Sequence, residues 1–410
     1  MEHQELIPHL FRTEYRKIVS VLCRYFGPER IQVAEDIAGD TFLTATETWG
    51  LKGIPANPVA WLYHVAKNKT KNYLQRESLF DTKVSGAIRH STTLTEETEI
   101  DLSPQNINDS QLRMMFVLCH PANAPEAQVS LCLRILCGFG IEEIADAFLS
   151  SKDTINKRLF RAKEKLRETQ LDTTLPAPGD MNERLASVLT TLYLLFNEGY
   201  YSVSQNTPLR QELCLEAMRL CHMLVANPAT DKPEVNALLA LMCFHASRFE
   251  ARMDGNGELI LYEEQDTTLW NTDLIGKGNY YLNRSATGNQ LSRYHLEAGI
   301  AHWHTEARDT PGKWEHILQL YNLLLLTTYS PIAALNRTYA LAKANGRETA
   351  IAEAEKLKLE DNHFYFTLLG TLYTGLDDQK AEQHFRQALT LAKTSADRQT
   401  IQKKILDIRR

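Results

Sequence analysis

Lys152, Thr154, Asn156, Lys157, Arg158 and Arg161 form a dense run of cations, amide and hydroxyl. Lys163, Lys165 and Arg167 continue it, against only Asp153, Glu164 and Glu168. Ammonium and guanidinium groups neutralise phosphates, while amides and cations read the donor and acceptor edges of bases. The chemistry such a set supports is nucleic-acid recognition. A second run, WLYHVAKNKTKNYLQR (Trp61–Arg76), carries Lys67, Asn68, Lys69, Lys71, Asn72 and Arg76 and no acid. Cations and Asn interleaved with aromatics suit single-stranded or melted DNA, where exposed bases need partners as well as phosphates.

The elements that must position these groups are helices. In Ile141–Arg167, the spacing of Ile141, Ile144, Ala145 and Phe148 predicts one helix, broken at Leu149, Ser150 and Ser151. Ser151 or Asp153 can cap a second helix whose apolar face is Ile155, Leu159, Ala162 and Leu166. A short acidic helix feeding a capped basic one is the pattern of a helix-turn-helix with a recognition helix. In the other run, Trp61, Leu62, Val65, Ala66 and Leu74 make the buried face. Upstream, AEDIAGDTFLTATETW (Ala34–Trp49) is acidic and apolar. Asp36, Asp40 and Glu47, with exposed-looking Thr41 and Thr44, suit docking to a basic protein partner rather than to nucleic acid.

The chain has 410 residues, 43% hydrophobic and 23% charged, and a net charge of −6. That composition is ordinary for packed domains, roughly two to four of them. Because the whole chain is acidic, DNA affinity must come from the local basic runs. No stretch reaches the ~18 apolar residues of a membrane helix, Tyr321–Tyr329 included, and the first residues lack a secretory pattern. A cytoplasmic protein with no membrane partner is expected. The seven cysteines show no CxxC pair and read as reduced, buried thiols. Cys119, His120, Cys132 and Cys137 suit no common zinc module, so neither metal nor cofactor is expected.

The expected fold class is all-α. Residues 5–78 read as three helices ended by Gly27-Pro28 and by a Gly/Pro-marked break at Gly50–Pro58. Residues 79–109 lose the apolar period and read as a polar linker. Residues 110–172 form a second helical domain, closed by TLPAPGD at Thr174–Asp180. Residues 181–410 read as a helical extension, with a small β-hairpin expected at Ala251–Glu264 around DGNG. Near the end, Ala350, Ala354 and Leu357 recur as Ala381, Phe385 and Ala388. Small residues at such positions let paired helices approach closely, as in a tetratricopeptide-like (TPR-like) solenoid.

Taken in order, DIAGDTFLTATETW, WLYHVAKNKTKNYLQR, a polar linker and EEIADAFLSSKDTINKRLFRAKEKLRE resemble a group-four (extracytoplasmic-function) bacterial sigma factor. The first two pieces resemble its sigma-2 domain and the third its sigma-4 domain. CHPANAPEAQVSLCLRILCGFGIEEIADAFL and the extension opening RLASVLTTLYLLFNEGY resemble the subfamily with a C-terminal TPR-like domain. The resemblance implies a sigma-2 helical bundle at 5–78, a sigma-4 helix-turn-helix domain at 110–172 and a regulatory solenoid at 181–410. It also implies a role for each matching residue. Asp36, Asp40, Thr41 and Phe42 match the segment that packs on the clamp helices of the polymerase largest subunit; sigma-4 meets the flap. Lys67, Asn68, Lys71, Asn72 and Arg76 match the −10 surface, with Asn68 near the flipped-out base. In the −35 recognition helix, Lys152 and Thr154 open the matching segment. Asn156 and Lys157 match base-facing positions, and Arg158 and Arg161 lie nearer phosphates. Sigma-4 domains often carry Arg and Ser where this chain has Asn156 and Lys157, so the −35 element stays open.

The resemblance implies a protein that is not an enzyme. It binds core RNA polymerase and promoter DNA and starts transcription, with a protein or intramolecular regulator expected at the C-terminal domain. Glu198, Glu263, Glu264 and Asp266 lack a nucleophile, and His295, His302 and His304 lack ligand spacing. Capping and inter-helix bonds are the expected role of both sets. The alternative is a helix-turn-helix regulator with a repeat-type sensor domain that does not bind core polymerase. It leaves Ala34–Arg76 without a purpose.

Overall fold

A computed structural model describes residues 3–84, 100–148, 150–169, 174–177, 179–201, 207–252, 260, 262–392 and 395–408. It is all-α, with no strand among the described residues. The chain divides into two compact units, Met1–Ser204 and Gln205–Arg410.

The first unit starts with α1 (His3–Phe26), α2 (Ile31–Lys52) and α3 (Pro58–Val84). Leu10, Tyr15, Ile18, Val19 and Leu22 of α1 pack into a core with Ile37, Ala38 and Phe42 of α2. Gly27, at φ +93°, ends α1 and donates its N–H to Cys23 O at 2.9 Å, a left-handed turn that glycine makes without strain. The Trp49 and Trp61 rings meet edge-on at 5.3 Å and tie α2 to α3. The linker expected at 79–109 is shorter than its composition implies. α3 continues to Val84, and α4 (Pro104–Leu118) begins at a Ser103 cap whose side chain accepts from Asn106 N–H. Residues 85–99 lie outside the described set.

After α4 come α5 (Pro125–Leu131), a π-helical turn (Cys132–Leu136), α6 (Ile141–Ala147), α7 (Lys152–Glu168) and α8 (Met181–Tyr201). Ser151 caps α7 by accepting from Thr154 N–H at 3.1 Å, and Ile155, Leu159, Ala162 and Leu166 are its buried face. α8, at the start of the expected extension, packs on α4 and α5 within the first unit. Arg184 donates to Phe116 O, Ser187 to Cys119 O and Thr191 to Gln128 Oε1, each at 2.7 Å. Gln128 in turn donates to Asn123 O at 2.8 Å, and Asn123 Nδ2 to Ala162 O of α7 at 3.2 Å. A buried polar chain thus runs from α8 to the backbone of α7.

The second unit comprises α9 (Thr207–Val225), α10 (Pro233–Ala246), α11 (Thr272–Ser285), α12 (Arg293–Trp303), α13 (Pro311–Thr327) and α14 (Pro331–Asn345). α15 (Arg347–Leu357), α16 (His363–Tyr373), α17 (Asp378–Leu391) and α18 (Ser395–Ile408) follow. α10 is apolar nearly all round and is sheathed by α9, α11 and α12, as a helix without a polar face must be. From α13 onward each helix packs on the next. Ala350, Ala354, Ala381 and Ala388 are buried where they do so, and Gly370 lies so close to the Phe385 ring that a Cβ there would sit 2.7 Å from it. The hairpin expected at 251–264 falls largely outside the described residues. At its base Ile260 N–H donates to Arg252 O at 2.8 Å, and Tyr262–Glu264 is a 3-10 turn.

Candidate polymerase and nucleic-acid interface

α3 presents Asn68, Lys71, Asn72 and Arg76 to solvent on one side and buries Leu62, Ala66 and Thr70 on the other. Asn68 Nδ2 lies 2.9 Å from His64 Nε2. Lys67 is half-buried, and its charge helps hold the Asp101 carboxyl below the usual range, after the Ser103 backbone and hydroxyl bonds that do most of it. The exposed stripe is therefore cations and amides with no carboxylate among them.

On α2 the outward groups include Asp36, Asp40, Leu43 and Glu47. Thr41 and Phe42, expected at the protein-binding surface, are instead core residues. Thr41 is fully buried and satisfies its hydroxyl on Ile37 O at 2.8 Å; Phe42 packs edge-on to Phe11 at 5.1 Å. They shape α2 from beneath, and any docking partner meets Asp36, Asp40 and Leu43.

α7 turns Lys152, Asp153, Thr154, Asn156, Lys157, Phe160 and Arg161 outward. Lys152 is ion-paired with Glu142 of α6. Arg158 is different: it is half-buried, its guanidinium 5.4 Å over the Phe148 ring and its Nη1 3.4 Å from Ser130 Oγ. It braces α7 against its own domain.

The groups that join these surfaces carry no local sequence signal. Glu35, one residue from exposed Asp36, is 7% exposed and is ion-paired with Lys163 of α7 and with Arg134, whose Nε lies at 3.4 Å. Tyr15 O–H donates to Glu35 at 3.4 Å, and burial, with Glu35 beside it, pushes the phenol far above its ordinary pKa. Arg12 of α1 pairs with Glu143 of α6 and lies 5.2 Å over the Phe139 ring. Between α2 and α7 a cleft of about 870 Å³ remains, lined among others by Asp36, Gly39 and Asp40 on one wall and Asn156, Phe160 and Lys163 on the other. The acidic surface of α2 and the outward side of α7 thus face each other.

Glu263, Glu264, Asp266, His295 and His304 of the acid and histidine sets have structural partners. Glu263 pairs with Lys343 at 2.6 Å, Glu264 with Lys403 at 3.2 Å, and Asp266 accepts from Thr268 N–H at 2.9 Å as a cap. His295 closes a capping box with Ser292. His304 stacks edge-on to Tyr262 at 4.9 Å, and burial, reinforced by Arg248 and Lys313, lowers its pKa to about 3. All seven cysteines are buried and free, with Cys119 Sγ and Cys132 Sγ 3.5 Å apart. Among the described residues no cluster of His, Cys, Asp and Glu could hold a metal, and no helix is long and apolar enough to cross a membrane.

Residues 10–79 match the family model described as sigma-70 region 2, which spans α1 to α3. Residues 184–286 match a family of unknown function, DUF6596. "Uncharacterized protein R00370" of Rhizobium meliloti (strain 1021) is 33% identical over 386 residues, 92% of this chain and 90% of that one. "RNA polymerase sigma factor YlaC" of Bacillus subtilis (strain 168) is 27% identical over 171 residues, 41% of this chain and 94% of that one. "ECF RNA polymerase sigma-E factor" of Haemophilus influenzae is 29% identical over 155 residues, 36% of this chain and 78% of that one. No solved structure matches. The match of α1 to α3 to sigma-70 region 2, with its acidic α2 and cationic α3, and the likeness to the two sigma factors support an RNA polymerase sigma factor of the sigma-70 family. More particularly, the chain belongs to one family with the Rhizobium protein, which it matches almost end to end.

Proposed function

We propose that this chain is an RNA polymerase sigma factor of the extracytoplasmic-function group that directs initiation through three surfaces of its first unit. Asp36, Asp40 and Leu43 dock α2 on core polymerase. Lys67, Asn68, Lys71, Asn72 and Arg76 hold the melted −10 strand, cations on phosphates and amides on bases. α6 and α7 act as a helix-turn-helix on the −35 duplex, with Asn156 and Lys157 on base edges and Lys152, Thr154 and Arg161 on the backbone. The second unit is a TPR-like regulatory extension that receives a protein or intramolecular signal. The observation that carries the proposal is the α2–α3 pair, an exposed acidic face followed directly by an exposed, acid-free cationic and amide face. The test is reconstitution with bacterial core RNA polymerase. The chain should comigrate with core, and Asp36→Lys combined with Asp40→Lys should abolish comigration while leaving the melting temperature unchanged. Duplex binding without core association would favour the helix-turn-helix regulator instead.

A further inference from the structure

Phe160 is an exposed aromatic on an otherwise polar and cationic face of α7. α7 already has a complete apolar face in Ile155, Leu159, Ala162 and Leu166, yet Phe160 is 66% exposed on the opposite side. It stands four residues after Asn156 and three after Lys157, so the three side chains form one contiguous patch. No aromatic or cation–ring contact holds the ring among the described residues, whereas neighbouring Arg158 is drawn back over Phe148. The only apolar group that a major groove offers to a side chain is the C5-methyl of thymine.

We infer that Phe160 is a specificity-determining residue that packs on a thymine methyl in the −35 element. Four helical residues rise ~6 Å, so this thymine lies within about two base pairs of the base that Asn156 reads. The inference rests on α7 being the −35-reading helix and adds to it the identity of one base. In the free chain the ring faces the cleft, with Gly39 and Asp40 on the far wall, so DNA must replace α2 as its neighbour.

The experiment uses holoenzyme reconstituted with core polymerase and one promoter from which it initiates. Each thymine of the −35 region is replaced singly by uracil, which deletes the methyl and keeps every hydrogen-bonding group. At one position, uracil should weaken wild-type binding by about fourfold, the worth of burying one methyl-sized group. Phe160→Ala should bind the thymine promoter more weakly and be indifferent to uracil there; Phe160→Leu should retain part of the sensitivity. Because the ring is exposed, the melting temperature should not move. A wild type indifferent to every uracil, or a Phe160→Ala holoenzyme still sensitive at that position, overturns the inference. So does a Phe160→Ala chain that loses core binding, which would make the ring a protein contact. Failure of the underlying assignment looks different: replacing whole −35 base pairs would then leave wild-type initiation unchanged.

Discussion

Lys163 of α7 is ion-paired with Glu35 of α2, joining the helix proposed to read the −35 duplex to the helix proposed to dock on core polymerase. Lys163 and Arg161 are neighbours on a basic helix, but only Lys163 is turned inward. Lys163→Met should destabilise the first unit by about 1–3 kcal/mol, below the usual cost of breaking a buried pair because Arg134 still faces Glu35. Arg161→Met should stay within ~0.5 kcal/mol of wild type and instead reduce the salt dependence of promoter binding by about 0.9 log units per log unit of salt. Denaturant midpoints and salt titrations of the two variants separate the strut from the phosphate contact.

Truncation should be tolerated after Ser204 and not after Asp180. A chain ending at 204 keeps α8 on α4 and α5, with Val188 and Leu192 buried and Arg184, Ser187 and Thr191 bonded. Ending at 180 exposes that surface, at ~1.5–3 kcal/mol for each large apolar side chain uncovered, and leaves Gln128 without Thr191. Thermal melts should show a cooperative transition for the longer fragment and a lowered or lost one for the shorter.

The second unit should lose stability in mild acid. Burial lowers the pKa of His304 to about 3 and that of His245 well below its ordinary value. The unfolded chain, with histidines near 6.5, therefore binds more protons, and stability is full above about pH 6.5 and falls as pH drops toward 3. Each histidine contributes at most about 1.4 kcal/mol per pH unit in that window. Denaturant midpoints at pH 7.5 and 5.5 should differ, and His304→Gln should narrow the gap; equal midpoints would exclude the effect.

Asn156 should specify adenine, since a carboxamide pairs with adenine N6 and N7 in the major groove. Asn156→Ala should relax one promoter position by roughly 1–3 kcal/mol and leave other positions as they were. Binding to a panel of single-base-pair variants checks this; uniform loss would place Asn156 on the backbone.

The helix period carried much of this fold. The face Ile155, Leu159, Ala162 and Leu166 and the Ser151 cap were legible because both depend on local spacing. Thr41 was not, because α1 and α3 flank α2, and a threonine can bond its own helix backbone in the core and still look polar in sequence. Glu35 was hidden for the converse reason: a buried carboxylate beside exposed Asp36 differs from it only in what lies across the cleft. The Pro/Gly-marked break at Thr174–Asp180 does not end a packing unit, because the contacts of α8 reach back to residues far away in the chain. Which side of α7 meets α2 is a tertiary fact that no spacing within either helix contains.

Permanganate reactivity of promoter thymines, followed with core polymerase and the chain together and apart, reads strand opening at the −10 region. Thymines around −10 should become reactive only when both are present, and Asn68→Ala with Asn72→Ala should lower that reactivity while core binding persists. Protection of duplex DNA by the chain alone, unchanged by core and with no thymine becoming reactive, would contradict a role as a sigma factor.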